Sequence, residues 1–284
     1  MAERLITILG TQPKVSVAYA TFNENLEHLK QSMESILAQT LSNWELVVAI
    51  EPGDRNAEYF RNLAARDPRV KPYFSPTRLG RTPAINKALD LAGSEFIARL
   101  DSDDYCFPTR LEDQATFLDT HPEAGVVGCD LLLVGVNGEP LGVRKYPSAP
   151  SAIRSRFVTS NGLAGPGVMI RQRTLDTVGV FDPRMDRAED LDYWLRCFRK
   201  DIKFHNLAKV LLGYRTPANQ FEKRDRRHRR STFLCRARHS FRIWPAPLAL
   251  ASFAISLLLY LTPTFLYNRL FNHRLANGFR GVSN

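Results

Sequence analysis

A regular alternation of short apolar runs with helical periodicities over residues 14–120 constrains this chain more than any other feature. Residues 15–20 form an apolar run of strand length, after which Leu26, Leu29, Met33, Ile36 and Leu37 recur at helical spacing. Residues 44–50 read as a second strand. Asp54 is placed to cap the next helix, with Ala57, Phe60, Leu63 and Ala64 facing inward. Residues 69–74 give a third strand. Thr82-Pro83 reads as an N-cap followed by proline at the first helical position, and Gly93 as the stop. Residues 95–100 form a fourth strand that runs straight into Asp101-Ser102-Asp103-Asp104. Repeated β-α-β units of this length call for a parallel sheet covered by helices on both faces. Ligands of such sheets bind beyond the carboxyl ends of the strands, which is where the fourth strand delivers its acids.

The pattern changes after residue 120. Residues 125–134 and 141–143 flank Asn137-Gly138, a hairpin signal. Residues 167–170 read as a strand, 174–178 as part of a helix closed by Gly179, and 209–214 as a last strand. Leu191, Trp194, Leu195 and Phe198 form one face of a helix beginning near Glu189. The expected class is α/β with a central, mostly parallel sheet and a mixed second half. It forms one continuous unit over residues 1–220, with a first half at about 13–120 and a second at about 121–220.

Charge separates the rest of the chain from this body. The net charge is +10, but 12 of the 39 Lys and Arg and only one of the 29 acids lie from Lys223 onward, leaving 27 against 28 before it. Nine of the basic residues fall between Lys223 and Arg242, so residues 221–244 read as a basic juxtamembrane segment. Residues 245–267 carry no charge, and as a helix of about 1.5 Å per residue they match a hydrocarbon core of about 30 Å. Pro247 and Pro263 interrupt that stretch, so an in-plane or re-entrant helix stands beside a spanning one. Residues 268–284 are a short basic tail with Arg269, Arg274 and Arg280. The excess of Lys and Arg before the apolar stretch places the body on the cytoplasmic face by the positive-inside rule. A nucleic-acid partner is not expected, because no stacking aromatic platform accompanies the basic run. Glu3 and Arg4 precede too short an apolar run for a secretory signal. Cys106, Cys129, Cys197 and Cys235 form neither a CxxC pair nor a zinc spacing, so a reducing compartment is the default.

Three carboxylates within four residues repel one another unless a cation sits among them. Mg²⁺ or Mn²⁺ takes oxygen ligands, commonly one or two carboxylates and the phosphates of a substrate. With "VSVAYATFNEN", "WELVVAIEPGD", "LGRTPAINKALDLAGSEFIARLDSDDYCFPTRLE" and "RAEDLDYWLRC" in this order, residues 13–215 resemble family 2 glycosyltransferases of the GT-A fold. That resemblance implies sugar transfer from a nucleotide-sugar (UDP, dTDP or GDP) to an acceptor hydroxyl, with inversion at the anomeric carbon.

Carried over residue by residue, Ala20, Thr21, Phe22 and Asn23 resemble the nucleoside-binding turn, with Ala20 where the family usually has proline. Glu51 is the candidate contact to the base, aligned with either the first or the second acid of the family pattern. Arg81 and Asn86 resemble the groups that meet diphosphate and sugar. Asp101, Ser102 and Asp103 match the metal motif, with Asp103 the more direct ligand and Asp101 beside it; Asp104 is assigned to ribose or to supporting the motif. Asp190 of the Glu189-Asp190 pair matches the catalytic base, on the geometric logic of direct displacement at carbon. Gly167, in Gly165-Pro166-Gly167, reads equally as an acceptor-facing small residue or a plain turn. Asp192 is placed on the acceptor side. Trp194, grouped with it, shares the apolar helix face. Tyr214-Arg215 resembles a late basic position near the diphosphate, without the histidine that often follows. His121 and His205 are read as structural.

The expected activity is an inverting, metal-dependent glycosyltransferase acting on a lipid-linked oligosaccharide or surface polysaccharide precursor at the cytoplasmic face of a bacterial inner membrane. The alternatives are a membrane-tethered nucleotidyltransferase or a non-catalytic sugar-nucleotide-binding partner.

Overall fold

A computed structural model of the chain describes residues 12–185, 187–216 and 225–267. Its strands β1 (Val15–Thr21), β2 (Trp44–Ile50), β3 (Val70–Phe74) and β4 (Phe96–Asp101) are linked by helices α1 (Leu26–Leu37), α2 (Ala57–Arg66) and α3 (Arg81–Leu91). They lie in the order β3-β2-β1-β4, all parallel, with Thr21 opposite Ile50 and Ala20 opposite Asp101. β1, β2 and β4 are buried almost throughout, because helices cover both faces; this is why they read as continuous apolar runs rather than alternating ones. Their register brings the ends of β1, β2 and β4 to one edge.

The second half supplies β5 (Tyr105–Cys106), α4 (Arg110–Thr120), β6 (Ala124–Val134), β7 (Pro140–Arg144), α5 (Pro150–Arg156), β8 (Met169–Arg171), α6 (Gln172–Val178), α7 (Glu189–Arg199) and β9 (Lys203–Arg215). Beyond β4 the sheet continues as β8-β6-β9-β5, with β7 paired to β6. β8 runs antiparallel to both neighbours, whereas β9 is parallel to β6, so the sheet is mixed. Hydrophobic clusters fill the two sides of the sheet, and Trp194, with no exposed surface, belongs to one of them.

Local details depart from the sequence reading at identifiable places. Thr82 does not cap α3. Gly80, at φ +85°, is the N-cap, and the Thr82 hydroxyl donates to the Met185 carbonyl instead, at 2.6 Å. Asp54 does not cap α2. It accepts from the Asn56 N–H in the preceding turn, and the helix begins at Ala57. The strand expected at 167–170 begins only at Met169, because Gly165–Gly167 forms a 3₁₀ turn. The last strand starts at Lys203, six residues before the apolar run that announces it, because pairing with β6 extends it across a bulge near Asp130.

Buried Arg110 joins the two halves. Its guanidinium donates to the carbonyls of Arg99 (2.7 Å) and Pro166 (2.9 Å) and to Gln114 Oε1, while Gln114 donates to the Gly167 carbonyl.

Two further helices, α8 (Arg226–Ile243) and α9 (Ala246–Leu261), form an antiparallel hairpin, with Ser240 against Ser252 and Arg229 against Thr262. Ala249, Ser252 and Ser256 of α9 face α8, whereas Leu248, Leu250, Leu258 and Leu261 are exposed. The uncharged stretch of 245–267 is thus not one helix. α9 ends at Leu261, with Thr262 forced out of the α region by Pro263. At 16 residues it spans about 24 Å, and among the described residues no helix is long and apolar enough to cross a membrane. Nor is the basic run wholly outward. Arg236 is buried and donates to the Phe157 and Val158 carbonyls and to Ser252, and burial pulls its pKa down to about 10. The basic tail at 268–284, residues 217–224, residue 186 and the N-terminal residues 1–11 lie outside the described residues.

Candidate active site

The strand ends of β1, β2 and β4 form one side of a cleft of about 1320 Å³, and the N-terminus of α7 forms the other. Ala20, Thr21, Phe22, Glu24, Glu51, Arg81, Asp101, Ser102, Asp103, Glu189 and Asp190 all line it. The two acid pairs, 88 positions apart in sequence, therefore face one space.

At the end of β2, Glu51 is 4% exposed. Its Oε1 accepts the Gly80 N–H at 2.9 Å, and its Oε2 lies 2.5 Å from Arg78 Nε. Arg78 stacks over the Phe22 ring, 3.5 Å from its centroid. The positive φ of Gly80 is what turns its N–H toward Glu51, and an L side chain there is strained. Asn23 does not line the cleft: it accepts from the Arg55 N–H at 2.9 Å and fixes the turn after β1.

At the centre lies a bridge of arginines and acids. Arg99 is 3% exposed within β4. Its Nη2 sits 3.3 Å from Asp101 and 3.5 Å from Glu189, and Arg81 reaches the same two acids at 3.7 Å each. Asp101, with Glu189 and Asp190 behind it, holds Arg81 protonated far above its ordinary range. Arg99 and Arg81 thus tie the acids of β4 to those of α7.

Asp103 and Asp104 part company. Asp103 lines the cleft, whereas buried Asp104 accepts the Arg215 N–H at 2.8 Å. Arg215 is spent on the loop as well, donating to the Asp103 carbonyl at 3.0 Å and to the Gly135 and Val136 carbonyls. It supports the acidic turn from behind; Tyr214 is the member of that pair that lines the cleft.

No group of three or more His, Cys, Asp or Glu among the described residues could hold a metal ion alone. The donor set nonetheless suits a hard cation that also takes phosphate oxygens, since Asp101, Asp103 and Glu24, with the Ser102 hydroxyl beside them, bring oxygen ligands to this corner. The field there is negative. Burial pushes the Tyr19 and Tyr214 hydroxyls up, and Asp103 and Asp104 push both further.

Asp190 is oriented from two sides. Its Oδ1 accepts the Leu191 N–H at 2.7 Å, and its Oδ2 accepts Asn161 Nδ2 at 3.2 Å. The residue before the pair, Ala188, holds a left-handed conformation at φ +59°, which costs a non-glycine residue about 1–2 kcal/mol. Gly165 faces the carboxylate, and a Cβ built there would lie 3.4 Å from Asp190 Oδ2.

Four other expected site residues turn away from the cleft. Asn86 spends its side-chain amide on the Phe181 backbone, accepting and donating there. Gly167 packs against Cys129 and Ala164, leaving Gly165 as the glycine of that turn at the cleft. Asp192 is buried between Arg196 at 2.9 Å and His239 at 3.0 Å. Trp194 is core. Sequence reasoning missed Glu24, Arg78, Arg99, Asn161 and His228, all of which line the cleft. Of these only Arg99 carried a signal, a lone charge inside an apolar strand that a buried site must pair.

The chain matches the model of a family described as Glycosyl transferase family 2 over residues 16–173, and that of Glycosyl transferase family group 2 over residues 96–277. It is 32% identical over 193 residues to the O-antigen biosynthesis glycosyltransferase WbnJ of Escherichia coli, covering 65% of this chain and 72% of WbnJ. Among solved structures, S. aureus TarS 1-349 in complex with UDP-GlcNAc superposes with TM-score 0.67 at 20% identity, over 86% of this chain and 72% of that one. The mannosyltransferase PcManGT from Pyrobaculum calidifontis, in complex with GDP-Man and Mn²⁺, superposes with TM-score 0.64 at 17% identity, over 97% and 77%.

Proposed function

The chain belongs to glycosyl transferase family 2, and on that basis we propose that it is an inverting transferase moving a sugar from a nucleotide-sugar to an acceptor hydroxyl. The observation that carries the reading is that Asp101 and Asp103 share one cleft with Glu189 and Asp190.

In this reading the nucleoside lies along Ala20, Thr21 and Phe22, with Glu51 fixing Gly80 and Arg78 around it. Asp103, with Asp101, would hold Mg²⁺ or Mn²⁺, which when bound neutralises charge on the departing diphosphate. Arg81 adds a fixed positive charge beside it. Asp190, held by Asn161 and the Leu191 N–H, takes the proton of the acceptor hydroxyl as its oxygen attacks the anomeric carbon; the bond to the diphosphate oxygen breaks on the opposite face. Glu189 keeps Arg99 and Arg81 in place under both groups. PcManGT, which binds GDP-Man and Mn²⁺, and TarS, which binds UDP-GlcNAc, support a nucleotide-sugar donor and leave the base open between them.

The acceptor is a lipid-linked oligosaccharide or surface polysaccharide precursor, as WbnJ's part in O-antigen biosynthesis suggests. The hairpin lies in the plane of the inner membrane's cytoplasmic leaflet, with Leu248, Leu250, Leu258 and Leu261 toward acyl chains and the exposed arginines of α8, Arg226, Arg227, Arg230 and Arg242 among them, toward anionic headgroups, at about 1 kcal/mol per basic residue.

A panel of nucleotide-sugars with Mn²⁺ and a polyprenyl-linked acceptor tests the reading. Release of nucleoside diphosphate that depends on both substrates supports it. Tight donor binding without release across the panel identifies a binding protein instead.

A further inference from the structure

Behind Asp190 a second cavity of about 190 Å³ lies between the start of α7 and the α8–α9 hairpin. It shares Thr159, Ser160, Asn161 and His228 with the main cleft, and Asp190 lines both, so the two spaces meet at that carboxylate. The far wall is of another character. Ile255 and Leu259 of α9 line it, and both are also part of the exposed apolar face that continues through Leu258 and Leu261. A path therefore runs from the carboxylate to bare leucines.

The inner wall of this cavity is polar and incompletely satisfied. Arg229 is 4% exposed. Its Nη atoms donate to the Thr262 carbonyl (2.9 Å) and Thr264 Oγ1 (3.0 Å), but its Nε has no hydrogen-bond partner among the described residues. Ser160 Oγ is in the same condition. A buried donor left without an acceptor costs about 1–3 kcal/mol, and more when charged, a cost that an anionic ligand removes. Cation, hydroxyl and apolar wall in that order describe the complement of one kind of molecule.

We infer that this cavity seats the non-sugar end of the acceptor, an amphiphile with a phosphate next to its sugar and an alkyl or isoprenyl chain beyond. The phosphate faces Arg229 and Ser160. The chain leaves along Ile255 and Leu259 to the leucine face, and the sugar hydroxyl is thereby delivered to Asp190 from the hairpin side. This rests on the transferase reading above and narrows it, since the hairpin becomes part of the acceptor site rather than a tether alone.

The full-length protein titrated with farnesyl phosphate below its micelle concentration, with farnesol and inorganic phosphate as separate arms, tests the assignment. Farnesyl phosphate is expected to bind at least tenfold more tightly than either arm. Leu259→Trp, which fills the apolar wall from a partly exposed position, is expected to weaken it tenfold or more. Arg229→Gln is expected to weaken farnesyl phosphate and leave farnesol alone. Nucleoside diphosphate affinity, measured on each protein, reports the donor site separately. Equal farnesyl phosphate binding by wild type and a folded Leu259→Trp overturns the inference, as does its displacement by nucleoside diphosphate. If wild type binds nucleotide-sugar but not farnesyl phosphate, this inference alone falls; if it binds no nucleotide-sugar, the transferase reading falls first.

Discussion

The two walls of the cleft are built by different means. The wall we assign to the donor sits on neighbouring parallel strands, where backbone register sets Ala20 beside Asp101 and Thr21 beside Ile50. The wall we assign to the acceptor is one helix start, α7, held by side chains: Asn161 on Asp190, His239 and Arg196 on Asp192, Arg99 and Arg81 on Glu189. The donor wall is stiff because its strands are laddered to their neighbours along most of their length. A helix start pinned by single contacts can be shifted without melting the sheet. Donor binding and turnover are therefore separable, and mutations on the two walls should sort accordingly.

Asp190→Asn gives the largest expected effect. Removing a general base costs about 10²–10⁴-fold in turnover, while nucleotide-sugar affinity, read by calorimetry, stays within twofold. An equal loss in both would show that the walls are not separable. Next is Arg110→Ala, at the joint between them. It leaves the Arg99 and Pro166 carbonyls without their buried donor, and a loss of about 3 kcal/mol is expected in denaturant unfolding.

Asp192→Asn, on the acceptor wall alone, should cost about 1–3 kcal/mol by weakening the α7–α8 contact. It also carries a pH signature. Burial alone would raise the Asp192 pKa, but the hydrogen bonds from His239 and Arg196 outweigh it and hold the group below 3.8. Its contribution is present above the unfolded value and is lost as pH falls through the folded one. Wild type should thus lose stability more steeply than Asp192→Asn below about pH 4, measured by thermal melts across pH. The smallest effect is expected from Gly165→Ala, whose Cβ meets Arg99 Nη1 at 3.3 Å and Asp190 Oδ2 at 3.4 Å. It should cost about 1 kcal/mol and raise acceptor KM a few-fold with donor affinity unmoved.

The donor wall was the more legible in sequence for the same physical reason. Strands buried on both faces write themselves as apolar runs, and β2 is found over the residues read for it, 44–50. The acids at the end of β4 follow from that placement, as does Glu189 from the helix that carries Trp194. What the sequence hid depends on partners distant in the chain. The first half of β9 is a strand because β6 pairs with it, not because of its own pattern. Asn86, Asp192 and Thr82 have polar groups of the kind that suit a site, yet each serves a contact made 47 to 103 residues away. Arg229 and Arg236 sit in a basic run that resembles a solvated face, and only the packing of α9 shows them turned inward. Asn23 lies next to cleft residues, but its left-handed backbone directs it to Arg55.

One measurement bears on the central claim most directly: a crystal structure with nucleoside diphosphate and Mn²⁺, the cation located by its anomalous signal. The account predicts a peak against Asp103, with the diphosphate beside Arg81 in the cleft that Asp190 lines. A cation and diphosphate bound elsewhere, with that cleft empty, would contradict it.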